Sequence, residues 1–206
     1  GTGKEMVDRL TNLIAIFQNT ALDFSKNRAD GDDILGDAYE YLMRHFASES
    51  GKSKGQFYTP SEVSRVLAAV IGIGPENTKA STTAYDPTCG SGSLLLKVAA
   101  AAGKHITLEG QEKDVTTAGL ARMNMILHGV HYSDFDIRQE DTLEHPQHLG
   151  LQFQAIVANP PFSAHWSASP LFMNDDRFSQ YGRLAPAKKA DFAFVQHMLS
   201  HLAEDG

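Results

Sequence analysis

Residues 82–102 read TTAYDPTCGSGSLLLKVAAAA, and this stretch decides the fold. Residues 82–85 predict a short buried strand, whereas residues 92–102, rich in alanine and leucine, predict a helix. The glycine-containing segment 86–92 joins the two. A strand, a glycine loop and a helix in succession are typical of sheets that bind nucleotide-like ligands at the carboxyl ends of their strands.

Strand and helix patterns continue to alternate along the rest of the chain. Predicted strands follow at residues 106–111, 134–138 and 153–158, and predicted helices at 114–128 and about 190–202. A long irregular stretch, about 163–189, separates the last strand from the last helix. This alternation predicts an α/β fold, a parallel Rossmann-like sheet with helices on both faces.

The first 54 residues predict a separate helical segment. Apolar residues recur at helical spacing over residues 4–18, and a second helix is expected from Asp32 or Asp33 to about residue 48. The polar stretch 51–55 marks the expected boundary. We therefore expect a helical segment at 1–54 and an α/β domain at 55–206. Because four strands leave an apolar sheet edge exposed, we also expect the domain to be C-terminally incomplete.

Charge and composition narrow the range of functions. The 206 residues carry a net charge of −7, whereas a protein that grips DNA alone usually shows a basic face. A partner or a further segment is therefore expected to supply much of any DNA grip. The apolar runs are far shorter than a membrane span, and the single cysteine, Cys89, excludes an intrachain disulfide. Both features favour a cytoplasmic protein without membrane association.

The glycine loop has the chemistry to hold a small polar ligand. Gly90 and Gly92 let the backbone approach a ligand closely, and the following helix offers unpaired N–H groups to a carboxylate. Asp86 can accept a hydrogen bond from an ammonium group. Glu112, at the end of the second predicted strand, is positioned to bind ribose hydroxyls. The alternative interpretation is a tight turn beside a surface glutamate.

Two residues argue against NAD as that ligand. Leu95 occupies the third glycine position of the dinucleotide fingerprint, where a bulky side chain hinders close packing of the helix on the strand. Asp86 would place a negative charge near a pyrophosphate. The loop therefore favours a ligand without phosphates, such as S-adenosylmethionine.

A second motif, Asn159-Pro160-Pro161-Phe162, follows the apolar segment 155–158. The two prolines fix φ and stiffen the turn. The Asn159 amide oxygen and the Pro160 carbonyl can accept both hydrogens of a planar amino group. Phe162 offers a face on which a base can stack once it is flipped out of a duplex. The alternative interpretation is a rigid strand-end turn with a core phenylalanine.

These two motifs and residues 55–60, GQFYTP, resemble the motifs of amino-methyltransferases. Their order is similar to the gamma arrangement of N6-adenine DNA methyltransferases, in particular the modification (M) subunits of type I restriction-modification systems. The resemblance covers the chain from about residue 33 to its end. It implies a Rossmann-like class I S-adenosylmethionine-dependent methyltransferase that methylates a flipped-out adenine. It also implies as partners DNA, a specificity subunit, a restriction subunit and a second copy of the modification subunit.

The resemblance implies site residues of two kinds, and no metal ligand. The residues expected to bind the cofactor are Gln56, Phe57, Tyr58, Thr59, Asp86, Thr88, Gly90, Ser91, Gly92, Glu112, Asp141 and Thr142. The residues expected to hold the target adenine and to act in catalysis are Asn159, Pro160, Pro161 and Phe162. Asp141 is expected to contact the adenine amino group of the cofactor, and a solvated loop carboxylate is an equally open interpretation.

Two other classes of function stay open at this level. An amino-methyltransferase acting on RNA or on protein glutamine also uses an Asn-Pro-Pro turn, commonly followed by tyrosine, so that Phe162 and GQFYTP favour DNA adenine. A non-enzymatic module for cofactor binding or assembly is the other possibility. In that case the helices within residues 1–50 would pack against a partner subunit.

Four further features carry weaker functional signals. Cys89 is expected to be a small packed residue rather than a nucleophile. Trp166 and the pair Lys188-Lys189 are candidates to touch DNA, or simply cover a loop and begin a helix. Four histidines lack the spacing of a metal site and are expected at the surface: His128, His131, His145 and His148.

Overall fold

In a computed structural model of the chain, the structure describes residues 3–19, 38–43, 45, 59–103 and 105–206. The helices are α1 Gly3–Phe17, α2 Ser61–Val70, α3 Ser93–Ala102, α4 Val115–Leu127 and α5 Asp191–His201. The strands are β1 Thr83–Asp86, β2 Thr107–Glu112, β3 Phe135–Gln139 and β4 Ala155–Ile156. Residues 38–43 are also helical, and two short 3₁₀ turns are Pro170–Asn174 and Ser179–Tyr181.

The four strands form one parallel sheet in the order β3-β2-β1-β4. Strand β1 pairs with β2 from Thr83 opposite Thr107 onward, and with β4 through Ala84 opposite Ala155. The chain moves from β1 through β2 to β3, then returns to place β4 on the other side of β1. The topology therefore switches direction between β1 and β4, and the two sequence motifs follow these two strands.

The main apolar core lies around α3 and the two central strands. Leu94, Leu95 and Val98 of α3 are buried together with Leu108 of β2. Apart from one serine and one lysine this helix is apolar, which suits its position between β1 and α2. The burial of α3 fixes the position at which the glycine loop enters the helix.

A second apolar cluster orders the irregular stretch after β4. Trp166 and Phe178 are buried there with Phe194 of α5, and the Trp166 ring stacks on Phe172 at 5.4 Å. The indole Nε1 donates to the Pro186 carbonyl at 3.2 Å. Trp166 therefore covers a loop, which was one of its two predicted roles.

Most predicted elements are confirmed, and two predictions need correction. The strand predicted at 153–158 forms a regular ladder only at Ala155–Ile156, because Phe153 bridges Leu202 after α5 instead of continuing the sheet. His148, predicted at the surface, is buried and its Nε2 donates to the Gly110 carbonyl at 3.0 Å. His131 and His145 are exposed, as predicted, and His128 is half-buried.

The predicted N-terminal helices are described only in part. Helix α1 confirms the first, and residues 38–43 fall within the second. In that second helix Met43 is buried and the Tyr39 hydroxyl donates to the Leu120 carbonyl at 3.2 Å, so this piece contacts the α/β domain. The predicted boundary at 51–55 lies outside the described residues. Of the helices described, none has the length and apolar character needed to cross a membrane.

Candidate functional site

The glycine loop is held rigidly by the elements that surround it. Gly90 and Gly92 have positive φ of 53° and 78°, a conformation that glycine adopts readily. A Cβ on Gly92 would lie 2.7 Å from the Met125 Cε atom, so a larger residue would displace the end of that side chain, and the positive φ disfavours any other residue there. The Asn124 Nδ2 atom donates to the Ser91 carbonyl at 2.9 Å. The loop conformation is therefore set before any ligand arrives.

Cys89 is a packed residue of this loop, as predicted. Its side chain is buried against Gly110, where a Cβ would lie 3.0 Å from the Cys89 sulfur. Burial raises the pKa of the Cys89 thiol well above its ordinary value, and the neighbouring carboxylates reinforce this. A neutral, enclosed thiol is unsuited to nucleophilic attack.

Asp86 ends β1 beneath the loop, and its side chain is only 2% exposed. One carboxylate oxygen accepts the Thr88 backbone N–H at 2.9 Å. Burial raises the pKa of Asp86 to about 7, and the hydrogen bond from Thr88 opposes this. A cationic group nearby would lower that pKa again, so the free carboxyl is suited to the approach of an ammonium group.

Glu112 ties the end of β2 to the glycine loop. One oxygen of its carboxylate accepts the Gly90 N–H at 3.1 Å, and the other accepts the Asp114 N–H at 2.8 Å. Burial raises the pKa of Glu112, and these N–H groups counteract it. Glu112 thus braces the loop, a role that sequence analysis did not anticipate, and still lines the cavity described next.

A cavity of about 700 Å³ opens at the carboxyl ends of the strands. The predicted site residues that line it are Thr88, Glu112, Asp141, Thr142, Asn159 and Pro161. The predicted site residues that do not line it are Thr59, Asp86, Gly90, Ser91, Gly92, Pro160 and Phe162. Gln56, Phe57 and Tyr58 lie outside the described residues. The cavity has the size of a small-molecule site and joins the two predicted groups of residues.

Asp141 lines the cavity as part of a fixed loop. One of its oxygens accepts the N–H groups of Leu143 and Glu144, and the other lies 2.7 Å from the Lys113 ammonium. Burial opposes ionisation of Asp141, but the hydrogen bonds from Lys113 and the backbone outweigh it and lower the pKa. The Thr142 hydroxyl donates to the Pro87 carbonyl. Asp141 is therefore an engaged, half-buried carboxylate rather than a solvated one.

The Asn159-to-Phe162 turn begins inside the cavity and ends in solvent. The Asn159 Nδ2 atom donates to the Thr59 hydroxyl at 3.3 Å, and no described residue donates to its Oδ1 atom. Phe162 is 85% exposed, so the alternative interpretation of a core phenylalanine is wrong. Ser163 follows with a positive φ of 53°, and its N–H is bound by Asp191. The turn presents one amide acceptor and one open aromatic face.

A buried polar network behind the cavity was missed by sequence analysis. The Arg177 guanidinium donates to the carbonyls of Thr142 and Leu143 and to the Nδ1 atom of His197. Because Nδ1 accepts, the His197 Nε2–H donates to the Tyr85 hydroxyl at 3.0 Å. Burial lowers the pKa of His197 to about 2, so the ring stays neutral. No local sequence signal exists for contacts up to 112 residues apart.

Comparison with known proteins decides the family. Residues 30–206 match the family described as N-6 DNA Methylase. The chain belongs to this family. Two similar proteins are the type I restriction enzyme MpnII methylase subunit of Mycoplasma pneumoniae, 40% identical, and the HindI methylase subunit of Haemophilus influenzae, 33% identical. Each alignment covers 97% of this chain, but only 38% and 45% of those N-6 DNA methylase relatives.

Solved structures confirm the predicted fold. The type I restriction-modification methyltransferase subunit from Streptococcus thermophilus matches with a TM-score of 0.77 and 44% identity, over 86% of this chain and 38% of that one. A class I S-adenosylmethionine-dependent methyltransferase from Listeria monocytogenes, described as putative, has a TM-score of 0.60 at 14% identity. That match covers 88% of this chain and 55% of that one. The sheet of this chain therefore has the Rossmann-like class I methyltransferase fold.

The described residues contain no candidate metal site. Within the described ranges, no group of three or more histidine, cysteine, aspartate or glutamate side chains has a suitable arrangement. His148, for example, is occupied by the Gly110 carbonyl.

Proposed function

We propose that this chain is the cofactor-binding and catalytic part of a site-specific DNA methyltransferase that methylates the N6 amino group of adenine. The observation that carries the proposal is one shared cavity. Thr88 and Glu112, next to the glycine loop, and Asn159 of the Asn-Pro-Pro-Phe turn all line it. A methyl donor and an amino acceptor held on those two sides would meet inside one enclosed space.

The cofactor of the proposed reaction is S-adenosylmethionine, which supplies a methyl group on a positively charged sulfur. Glu112 binds the ribose hydroxyls, since carboxylates at the end of the second strand do so in related sheets. Asp86, beneath the loop, favours the ammonium group of the methionine part through its negative charge. Asp141 accepts the adenine amino group of the cofactor, and Gln56, Phe57, Tyr58 and Thr59 close the methionine end.

The target adenine is held by the second motif. The Asn159 Oδ1 atom and the Pro160 carbonyl accept the two N6 hydrogens, which orients the nitrogen lone pair toward the donor. The hydrogen bond from Nδ2 to Thr59 fixes the amide so that its oxygen is the free end. Phe162 stacks on the flipped base.

The assembly we propose is that of a type I restriction-modification system. The relatives at 40% and 33% identity are named methylase subunits of type I restriction enzymes. A specificity subunit, a restriction subunit and a second modification subunit are the proposed partners. The net charge of −7 supports this arrangement, because partners would contribute part of the positive surface that DNA requires. We place the assembly in the cytoplasm.

Transfer of a labelled methyl group tests the proposal. The assembled enzyme would be given labelled S-adenosylmethionine with adenine-containing duplex DNA, with RNA of the same sequence, and with a glutamine-containing peptide. We expect label in N6-methyladenine of the DNA alone. Label in RNA or in the peptide, or none in DNA by a folded assembly, would contradict the proposed substrate.

A further inference from the structure

A second cavity, of about 730 Å³, begins where the Asn-Pro-Pro-Phe turn ends. Ser163, the residue directly after Phe162, forms one wall. The segment 181–189 and the first turns of α5 form the others. We call it the flanking groove. Among the described residues, it shares no lining residue with the cavity at the carboxyl ends of the strands. The two cavities are therefore separate, and the groove lies next to the Asn-Pro-Pro-Phe turn.

The flanking groove is cationic in an acidic protein. Arg183 and Lys189 line it, and the chain has no aspartate or glutamate between residues 177 and 190. Neither cation forms an ion pair with any residue in the described part of the chain. The one carboxylate that lines the groove, Asp191, accepts the Ser163 N–H at 3.3 Å. Two cations without an ion pair to any described residue outnumber the single carboxylate of the groove, and this excess of positive charge favours an anionic ligand such as phosphate.

The groove also offers surfaces that fit a nucleobase. Phe192 is 72% exposed, and the Tyr181 ring is partly exposed on the same groove. Stacking on exposed aromatic rings is the common way in which proteins hold single-stranded bases. The Gln196 Oε1 atom is buried in the groove wall and has no hydrogen-bond donor among the described residues. A buried acceptor without a donor is costly, and a base amino group would satisfy it.

We propose that the flanking groove binds the unpaired DNA strand immediately beside the flipped adenine. Arg183 and Lys189 bind its phosphates, Phe192 stacks on the adjacent base, and Gln196 accepts a hydrogen bond from that base. The position follows from the chain itself, since Phe162 faces the target and Ser163 borders the groove. Flipping one base removes a stacking partner from the adjacent base, and the groove offers that base a new one. This inference rests on the proposed function, because it extends the path of the same DNA strand.

Fluorescence anisotropy of a labelled, adenine-containing DNA single strand, titrated with the 206-residue chain, tests the groove. The paired variant Arg183→Gln with Lys189→Gln should weaken binding about tenfold. It should also lower the slope of log affinity against log salt by about 1.4, since each single-strand phosphate contact contributes about 0.7. Lys4→Gln with Lys79→Gln removes the same charge from exposed sites elsewhere and should change affinity less than twofold.

The aromatic part of the groove has its own variants. Phe192→Ala should weaken single-strand binding about tenfold, in line with the loss of one base stack. Phe192→Tyr keeps a stacking face and should bind within twofold of the parent. Because Phe192 is exposed, both variants should unfold at the parent temperature, which separates a lost contact from a lost fold.

The outcomes separate this inference from the proposed function. Absence of strand binding by the folded parent, or groove variants that bind like the parent, would overturn the inference even if S-adenosylmethionine binds. Tighter binding of RNA of the same sequence, lost in the same variants, would overturn the assignment to DNA. Each protein is also titrated calorimetrically with S-adenosylmethionine. Its failure in the parent would contradict the proposed function and would leave the groove to be judged by the strand titration.

Discussion

The two motifs that meet at the cavity are built differently. We call the glycine loop the cofactor side and the Asn-Pro-Pro-Phe turn the target side, after their proposed ligands. On the cofactor side, Gly90 is bound by Glu112, Ser91 is bound by Asn124, and Asp86 is almost wholly buried. On the target side, Asn159 has one described side-chain hydrogen bond, and Phe162 lies 85% in solvent. The first side is held in place before a ligand binds, whereas the second has a largely exposed aromatic ring and an amide oxygen that accepts no hydrogen bond from a described residue.

This contrast indicates how the two ligands are received. A preformed loop loses little conformational entropy when the cofactor binds. More of the free energy of its hydrogen bonds to the ligand therefore contributes to affinity. An open turn can admit duplex DNA, from which the target base must first be flipped out. Substitutions on the cofactor side should therefore change cofactor affinity, and those on the target side should change methyl transfer.

The largest expected effect lies on the target side. Asn159→Ala removes the acceptor proposed to orient the target amino group, and we expect kcat to fall at least about a hundredfold. Methyl transfer to duplex DNA by the assembled enzyme measures it, while the dissociation constant for S-adenosylmethionine should change less than threefold. Asn174→Ala, an exposed asparagine in a 3₁₀ turn, is the matched control and should retain activity. Equal losses of methyl transfer in both variants would contradict a specific role of Asn159 in orienting the amino group.

The next effect lies on the cofactor side. Glu112→Ala removes the carboxylate proposed to bind the ribose hydroxyls, and we expect the dissociation constant for S-adenosylmethionine to rise about thirtyfold. The variant should also unfold at lower temperature, because Gly90 and Asp114 lose their acceptor. Calorimetric and thermal titrations measure both changes, with the exposed Glu76→Ala as control. Unchanged affinity for S-adenosylmethionine in a folded Glu112→Ala protein would show that this carboxylate does not bind the ligand.

A smaller effect comes from pH. With a pKa of about 7, the Asp86 carboxyl is partly protonated in the free protein below pH 7. A bound ammonium group favours the ionised form, so binding releases a proton and strengthens as pH rises. From pH 6 to pH 7 the affinity for S-adenosylmethionine should increase about fivefold, while the ligand ammonium, with a pKa near 8, stays charged. Asp86→Asn should abolish most of this dependence, and a flat profile in the parent would contradict it.

The smallest effect concerns Phe162. Phe162→Leu keeps an apolar side chain but loses the aromatic face, and we expect methyl transfer to fall about threefold. Because the ring is exposed, the unfolding temperature and the affinity for S-adenosylmethionine should match those of the parent. A large fall in unfolding temperature would mean that the ring packs within the domain. The target side would then be as firmly held as the cofactor side, and the difference between the two sides would disappear.

The sequence predicts this fold well because its signals are local. A strand, a glycine loop and an apolar helix follow one another within residues 82–102, so α3 and the loop lie where expected. Helix α4 begins at the predicted position, where the Asp114 side chain caps it by accepting the Thr117 N–H. The two motifs of the site follow adjacent strands of a parallel sheet, which brings them to one edge.

What the sequence misses depends on contacts between distant residues. The ladder of β4 is short because Phe153 pairs with Leu202, and His148 is buried because it reaches Gly110. Arg177 supports the wall of the cavity through the Thr142 carbonyl, although it lies in a stretch without regular pattern. Such positions follow from tertiary packing, which periodicity and spacing do not encode.

Calorimetric titration of the chain with S-adenosylmethionine, with NAD as the competing ligand, tests the central claim most directly. A preformed cofactor side predicts one S-adenosylmethionine bound per chain, with no heat from NAD. Binding of NAD, or the absence of S-adenosylmethionine binding by a chain shown to be folded, would contradict it.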